Sequence, residues 1–230
     1  MSVQEKIDEV NAARLGVSAR PRLVLVPQTG AHPAARSRAK RALDLLVAIP
    51  ALLMLAPLMA VIAVLIALDS RGSIFFRQTR TGQGGKLFNI YKFRTMHVCE
   101  NGERIMQARA NDPRVTRIGR ALRRTSLDEL PQLINVIAGE MSLIGPRPHA
   151  LAHDRLYGTL IENYTLRQTV KPGISGWAQI NGHRGETATV DAMRARVEHD
   201  LWYARHQSFA LDVKILFRTV FAIFRCNNAW

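Results

Sequence analysis

The stretch LLVAIPALLMLAPLMAVIAVLIAL, Leu45 to Leu68, decides the architecture: 24 residues without one charged or polar side chain. At about 1.5 Å per residue, a helix of that length reaches across a hydrocarbon core. About forty mostly polar residues precede it, which is unlike a secretory signal. Two features turn the reading away from a straight span. Pro57 sits near the middle with Pro50 before it, and a mid-helix proline removes a hydrogen bond and crowds the preceding turn. Both flanks are basic: Arg36, Arg38, Lys40 and Arg41 before, then Arg71, Arg77, Arg80, Lys86, Lys92 and Arg94 after. Basic flanks favour the cytoplasmic side. A straight span satisfies one of them; a helix that enters one leaflet, breaks at Pro57 and returns satisfies both. The expectation is a re-entrant membrane helix-hairpin over residues 36–70.

Outward from that segment the chain changes character. Residues 1–35 hold Gly, Pro and scattered polar side chains with weak periodicity, and read as a flexible N-terminal tail. Residues 71–230 read as one small mixed domain, α/β in the α+β sense, with several helices and a few short strands. Hydrophobic residues make up 47% of the 230 and charged residues 22%, which excludes a wholly disordered chain. Thirty-two Lys/Arg against eighteen Asp/Glu leave a net charge of +14. That excess calls for an anionic partner: nucleic acid, a lipid surface or a phosphorylated substrate. No helix-turn-helix spacing, zinc finger or RNP-like strand supports nucleic acid. Cys99 and Cys226 are too few for a disulfide framework or a four-ligand zinc site, and read as reduced thiols.

Ile74–Gln78 and Leu87–Met96 read as two strands around a turn at 81–85, with Lys92 and Arg94 on one face of the second. Arg114, Arg117, Arg120, Arg123 and Arg124 recur at helical spacing without an acid, a row that favours a bound anion. Two C-terminal helices are expected around Val190–Leu201 and Leu211–Arg225, the second with a basic side.

The densest chemistry lies in Thr125-Ser126-Leu127-Asp128-Glu129-Leu130-Pro131-Gln132. Two local readings compete. A Ser126/Glu129 capping box places Asp128 in a first helical turn, whereas Pro131 as first helical residue leaves both acids just before the helix. Either way two carboxylates meet the positive end of a helix after an arginine row, which favours their ionised form. Gly145-Pro146-Arg147-Pro148 holds one arginine between two prolines, suited to gripping phosphate. The run from Lys171 to Gln179, continuing to Glu186, reads as a glycine-rich loop offering Trp177, Gln179 and Asn181 to a sugar or base.

In that order, the proline-broken apolar segment, Tyr91-Lys92-Phe93-Arg94-Thr95-Met96, Leu127–Gln132, Gly145–Pro148 and Lys171–Gln179 closely resemble the bacterial sugar transferases, monotopic polyprenyl-phosphate phosphoglycosyltransferases. The resemblance runs from about Arg38 to Trp230. The ending 227–230 and Arg184-Gly185-Glu186 look like the hexose-1-phosphate branch that initiates exopolysaccharide assembly. It implies transfer of a hexose-1-phosphate from a UDP-sugar to undecaprenyl phosphate, with release of UMP. The sugar is glucose, galactose or an N-acetylated sugar. By position, Asp128 is the nucleophile that forms an aspartyl-phosphosugar intermediate, and Glu129 its partner; both would hold Mg2+. Lys92, Arg94, Arg123, Arg147 and Gln179 would bind substrate. Pro57 matches the break of the re-entrant helix, although Ala56 stands where the family often has serine. The implied location is the bacterial inner membrane with the site on its cytoplasmic face, and a homo-oligomer is compatible with the resemblance. The competing class is a non-catalytic basic membrane scaffold.

Overall fold

A computed structural model describes residues 38–97, 112–185, 187 and 189–225. The expectations for residues 1–35, Cys99, Glu186, Cys226 and the 227–230 ending lie outside these residues. In chain order the elements are α1 (Arg38–Asp69), β1 (Phe75–Thr81), β2 (Leu87–Phe93), α2 (Arg117–Thr125), α3 (Gln132–Ala138), β3 (Ser142–Ile144), α4 (Leu151–Leu160), β4 (Gly173–Ser175), α5 (Trp177–Ile180), α6 (Val190–His206) and α7 (Phe209–Arg225). Many helices with a few short strands make this the expected α+β class.

The strands form two small ladders. β1 and β2 are an antiparallel hairpin in the register Phe75↔Phe93 to Thr81↔Leu87, while β3 pairs parallel with β4. Alternation along β2 buries Phe88 and Ile90 and sets Lys92 on the same inward side. The strand stops at Phe93, so alternation does not carry on to Arg94. Phe93 turns the other way, stacks on Phe75 at 5.5 Å between ring centroids and joins Ile62, Ile66 and Leu122 in one cluster.

α1 is helical through Pro50 and Pro57. A proline stays inside a helix at the loss of one hydrogen bond, so chain continuity survives it. Both ends of α1 nevertheless lie on the same domain. At the N-terminal end Lys40 is buried, with its Nζ 2.7 Å from Asp212 Oδ2 and 3.0 Å from the Ile144 carbonyl. Asp44 accepts from Ser142 Oγ and the Leu143 N–H, and Ala48 packs beside Val136. At the C-terminal end Ile62 and Ile66 pack on α2, and Asp69 accepts from the Ile118 N–H at 3.2 Å. Between these docks Leu53 and Met54 are 70% and 75% exposed. Removing one partner of a buried ion pair such as Lys40–Asp212 leaves a buried charge uncompensated, so this dock fixes where α1 starts.

α2 approaches the hairpin's end very closely. A Cβ at Gly119 would lie 2.2 Å from the Thr95 carbonyl oxygen and 2.8 Å from Thr116 Oγ1. Gly119→Ala is therefore expected to cost about 3 kcal/mol through overpacking. Urea denaturation of the detergent-solubilised protein checks this; a variant as stable as wild type shows that α2 shifts freely away from Thr95.

Candidate active site

α2 starts at Thr116, whose side chain caps the Gly119 N–H, and ends at Ser126, a left-handed residue at φ 58°. A non-glycine residue there costs on the order of 1 kcal/mol and reverses the chain sharply. One 3-10 turn, Leu127–Glu129, follows, and Pro131 precedes α3. Both carboxylates thus lie just before a helix, as the Pro131 reading has it. The capping box does not form: the Ser126 hydroxyl accepts from the Arg184 guanidinium, and the Glu129 side chain is engaged elsewhere. Leu127 and Leu130 pack into the Ile62–Leu122 cluster, which leaves Asp128 and Glu129 toward β2 and the 145–148 loop.

The two neighbours differ in their partners. Glu129 Oε1 accepts from Lys92 Nζ at 2.7 Å and from Arg147 Nη2, and Oε2 accepts from Arg147 Nη1 at 3.1 Å. Asp128 is buried and makes no hydrogen bond or ion pair among the described residues. Burial alone would raise the Glu129 carboxyl, but Arg147 and Lys92 outweigh it and hold the group well below the usual range. Burial raises the Asp128 carboxyl, against the pull of Lys92, and the Glu129 charge raises it further. Burial lowers Lys92 despite its pairing, and the Glu129 charge raises Arg147. Arg123 is partly buried on α2; its Nε donates to Thr95 Oγ1 at 2.9 Å. Its two Nη groups have no hydrogen-bond partner among the described residues. The result is one carboxylate neutralised by two cations and an adjacent one left open, with a third cation beside it.

Two expected substrate-binding residues lie elsewhere. Arg94, past the end of β2, donates from Nη2 to the Ser70 carbonyl and Oγ, and from Nη1 to the Arg71 carbonyl. It clamps the chain leaving α1 and is not among the cations around Asp128. Gln179 donates to the Ile174 carbonyl at 3.2 Å on the β4–α5 side. Trp177 stacks on Trp202 at 4.6 Å, and Asn181 bonds the Trp177 carbonyl. Its glycines serve close packing: a Cβ on Gly173 would lie 2.1 Å from the Gly145 nitrogen. The arginine row also divides. Arg114 pairs with Asp112 before the helix, Arg123 faces the site, and Arg117, Arg120 and Arg124 are exposed.

Gly173 of the Lys171–Gln179 run and two arginines that no motif signalled, Arg80 and Arg167, hold the Arg147 loop. The Pro146 carbonyl accepts from the Gly173 N–H at 2.9 Å, that of Arg147 from Arg167 at 2.6 Å and that of Pro148 from Arg80 at 3.1 Å. Arg167 is itself fixed by Asp200 at 2.7 Å and approaches His149 Nδ1 at 3.3 Å. Burial and the like charge of Arg147 lower both Arg80 and Arg196 to about 10. The loop's rigidity thus comes from a buried arginine–aspartate network as much as from its prolines.

A proline-flanked arginine and a lysine close on the second member of an Asp-Glu pair, and a family profile described as bacterial sugar transferase matches residues 35–226. The chain belongs to that family. A UDP-glucose:undecaprenyl-phosphate glucose-1-phosphate transferase of Escherichia coli (strain K12) is 56% identical over 182 residues, 79% of this chain and 39% of that protein. A protein of the same name from Caulobacter vibrioides is 48% identical over 191 residues, covering 83% of this chain and 72% of that protein. A UDP-N-acetylgalactosamine-undecaprenyl-phosphate N-acetylgalactosaminephosphotransferase of Aeromonas hydrophila is 45% identical over 79% of this chain and 42% of its own length. The chain therefore spans about two-fifths of several of these sugar transferases and most of the Caulobacter one.

Proposed function

We propose that this sugar transferase moves a hexose-1-phosphate from a UDP-sugar to undecaprenyl phosphate in two displacements on Asp128. The observation that carries the reading is the unequal pair: Glu129 fully engaged, Asp128 buried, without a hydrogen bond or ion pair among the described residues, and under the charges of Lys92, Arg123 and Arg147. An Asp128 oxygen attacks the sugar-side phosphorus of the donor, the bond from that phosphorus to the bridging oxygen breaks, and UMP leaves. An oxygen of undecaprenyl phosphate then attacks the same phosphorus, the phosphorus–aspartyl bond breaks, and the carboxylate is restored. Arg147, whose side chain is 34% exposed, and the open Nη groups of Arg123 are placed to neutralise phosphate charge during both steps.

Magnesium fits this donor set in its usual manner, through a carboxylate and substrate phosphate oxygens. Asp128 would hold it, because both Glu129 oxygens already accept hydrogen bonds; no cluster of three metal-ligating side chains occurs among the described residues. When bound, the ion supplies charge neutralisation at the pyrophosphate. Lys92 and Arg147 keep Glu129 ionised and fixed, so that it holds these cations off the nucleophile.

The donor we favour is UDP-glucose, from the names of the Escherichia and Caulobacter relatives; the Aeromonas relative supports an N-acetylated sugar as second reading. α1 is long and apolar enough to enter a bilayer, and its docked ends support re-entry from the cytoplasmic face of the inner membrane. α7 adds exposed Phe209, Phe217 and Phe221 on the outside of the same domain. UMP release in nanodiscs, with magnesium, across UDP-sugars and with or without undecaprenyl phosphate, tests the proposal. Lipid-dependent turnover of one donor supports it; no UMP from any donor by folded protein returns the chain to the scaffold class.

A pH dependence follows from Asp128. Its carboxyl titrates above the ordinary aspartate range, and only the ionised form attacks. The acid limb of kcat is expected above about pH 4, with activity lost as pH falls through it. A limb at or below the unperturbed value assigns the limb to another group.

A further inference from the structure

We propose that the outer face of α2 is a docking surface for the headgroups of an anionic phospholipid leaflet, formed by Arg117, Arg120 and Arg124. The proposal rests on the membrane reading of α1. All three side chains are exposed, and none makes an ion pair among the described residues. They fall at i, i+3 and i+7, one face of a nine-residue helix that contains no acid. Like charges at that spacing repel one another, so an anion-bearing surface relieves a cost that solvent alone leaves in place.

Position makes the surface a leaflet. The inner face of α2, Ile118 and Leu122, packs against Ile62 and Ile66 of α1, and the Ile118 N–H bonds Asp69, the last residue of α1. α2 therefore crosses the foot of the apolar helix. Leu68, one residue before that foot, is 79% exposed, so the apolar surface of α1 continues to the point where α2 meets it. With the apolar face in hydrocarbon, the adjoining arginines lie at headgroup depth, where anionic lipid attracts basic side chains. Arg123, on the flank of the same helix between the arginine face and the buried side, acts electrostatically on Asp128; docking α2 thus also sets the height of the nucleophile above the lipid.

The test places a fluorophore at Ala121→Cys, between the arginines, in the full chain with Cys99→Ser and Cys226→Ser. The protein is reconstituted in vesicles of phosphatidylcholine, or of phosphatidylcholine with phosphatidylglycerol, each doped with a headgroup-nitroxide lipid. Quenching at residue 121 is expected to rise about twofold with phosphatidylglycerol and to lose that rise in Arg117→Gln/Arg120→Gln/Arg124→Gln. A second label at Leu53→Cys, read with an acyl-chain nitroxide, reports insertion of α1. Quenching at 53 with no phosphatidylglycerol effect at 121 overturns the proposal and leaves the membrane reading standing. No quenching at 53 removes the membrane reading, and the proposal with it. Loss of the effect on adding a single-stranded oligonucleotide at low salt reassigns the row to nucleic acid.

Discussion

Asp128→Asn is expected to abolish transfer while the protein stays folded and gains rather than loses stability. The loss of kcat is expected to be on the order of 10^4-fold or more, because the amide cannot form the covalent link on which both displacements depend. Incubation with the UDP-sugar alone should add one sugar-phosphate mass to wild type and nothing to the variant. The stability sign follows from burial. The native carboxyl sits above its unfolded value, so it favours the native state at acid pH and loses that contribution as pH rises through the native value. At neutral pH the ionised group is a cost, and the neutral amide removes it. Full turnover by Asp128→Asn would remove the nucleophile assignment, and with it the reason for the unequal pair.

Glu129→Ala is the more damaging change for the fold. It leaves Lys92 and Arg147 without the carboxylate that accepts from both; breaking a fully buried pair costs about 3–5 kcal/mol, and solvent at the partly exposed Arg147 reduces this to about 2 kcal/mol. The freed cations would close on Asp128, so a fall in kcat of about 10^2-fold or more is expected in whatever protein folds. Glu129→Gln separates the effects, since it keeps the shape and removes the charge. The Glu129 carboxyl is depressed in the native state, so its contribution is present above the unfolded value and lost as pH falls through the native one. The stability difference between wild type and Glu129→Gln should accordingly close on acidification. A difference independent of pH would show that Glu129 acts through shape alone.

Several elements were legible because their signals are local. The β1–β2 hairpin lies where alternation and the glycine turn placed it, and β2 ends three residues before the expected Met96 because Arg94 turns to cap the chain after α1. α6 and α7 occupy their expected stretches, α6 running on past Leu201 to His206 and α7 starting earlier, at Phe209. The five-arginine row was legible as a charge pattern but not as a surface. Asp112 draws Arg114 away, and the contact of Gly119 with Thr95 fixes which side of α2 faces inward, leaving three arginines outside and one at the site. The glycine-rich run reads as a binding loop, and its Gly173 and Gly176 also let the β4 segment pack directly on the Gly145 backbone.

The sequence alone determined the apolar helix, the paired carboxylates, the rigid arginine loop and the basic excess, because each is written in adjacent residues or in composition. Only the tertiary structure decided how the charges are shared. Lys92 and Glu129 are 37 residues apart, and Arg147 and Glu129 are 18 apart. Nothing local distinguishes Lys92, which meets Glu129, from Arg94, which meets main-chain carbonyls. Their partners then separate the two neighbouring acids: the one that receives both cations becomes the fixed anion, and the one that receives neither is the proposed nucleophile.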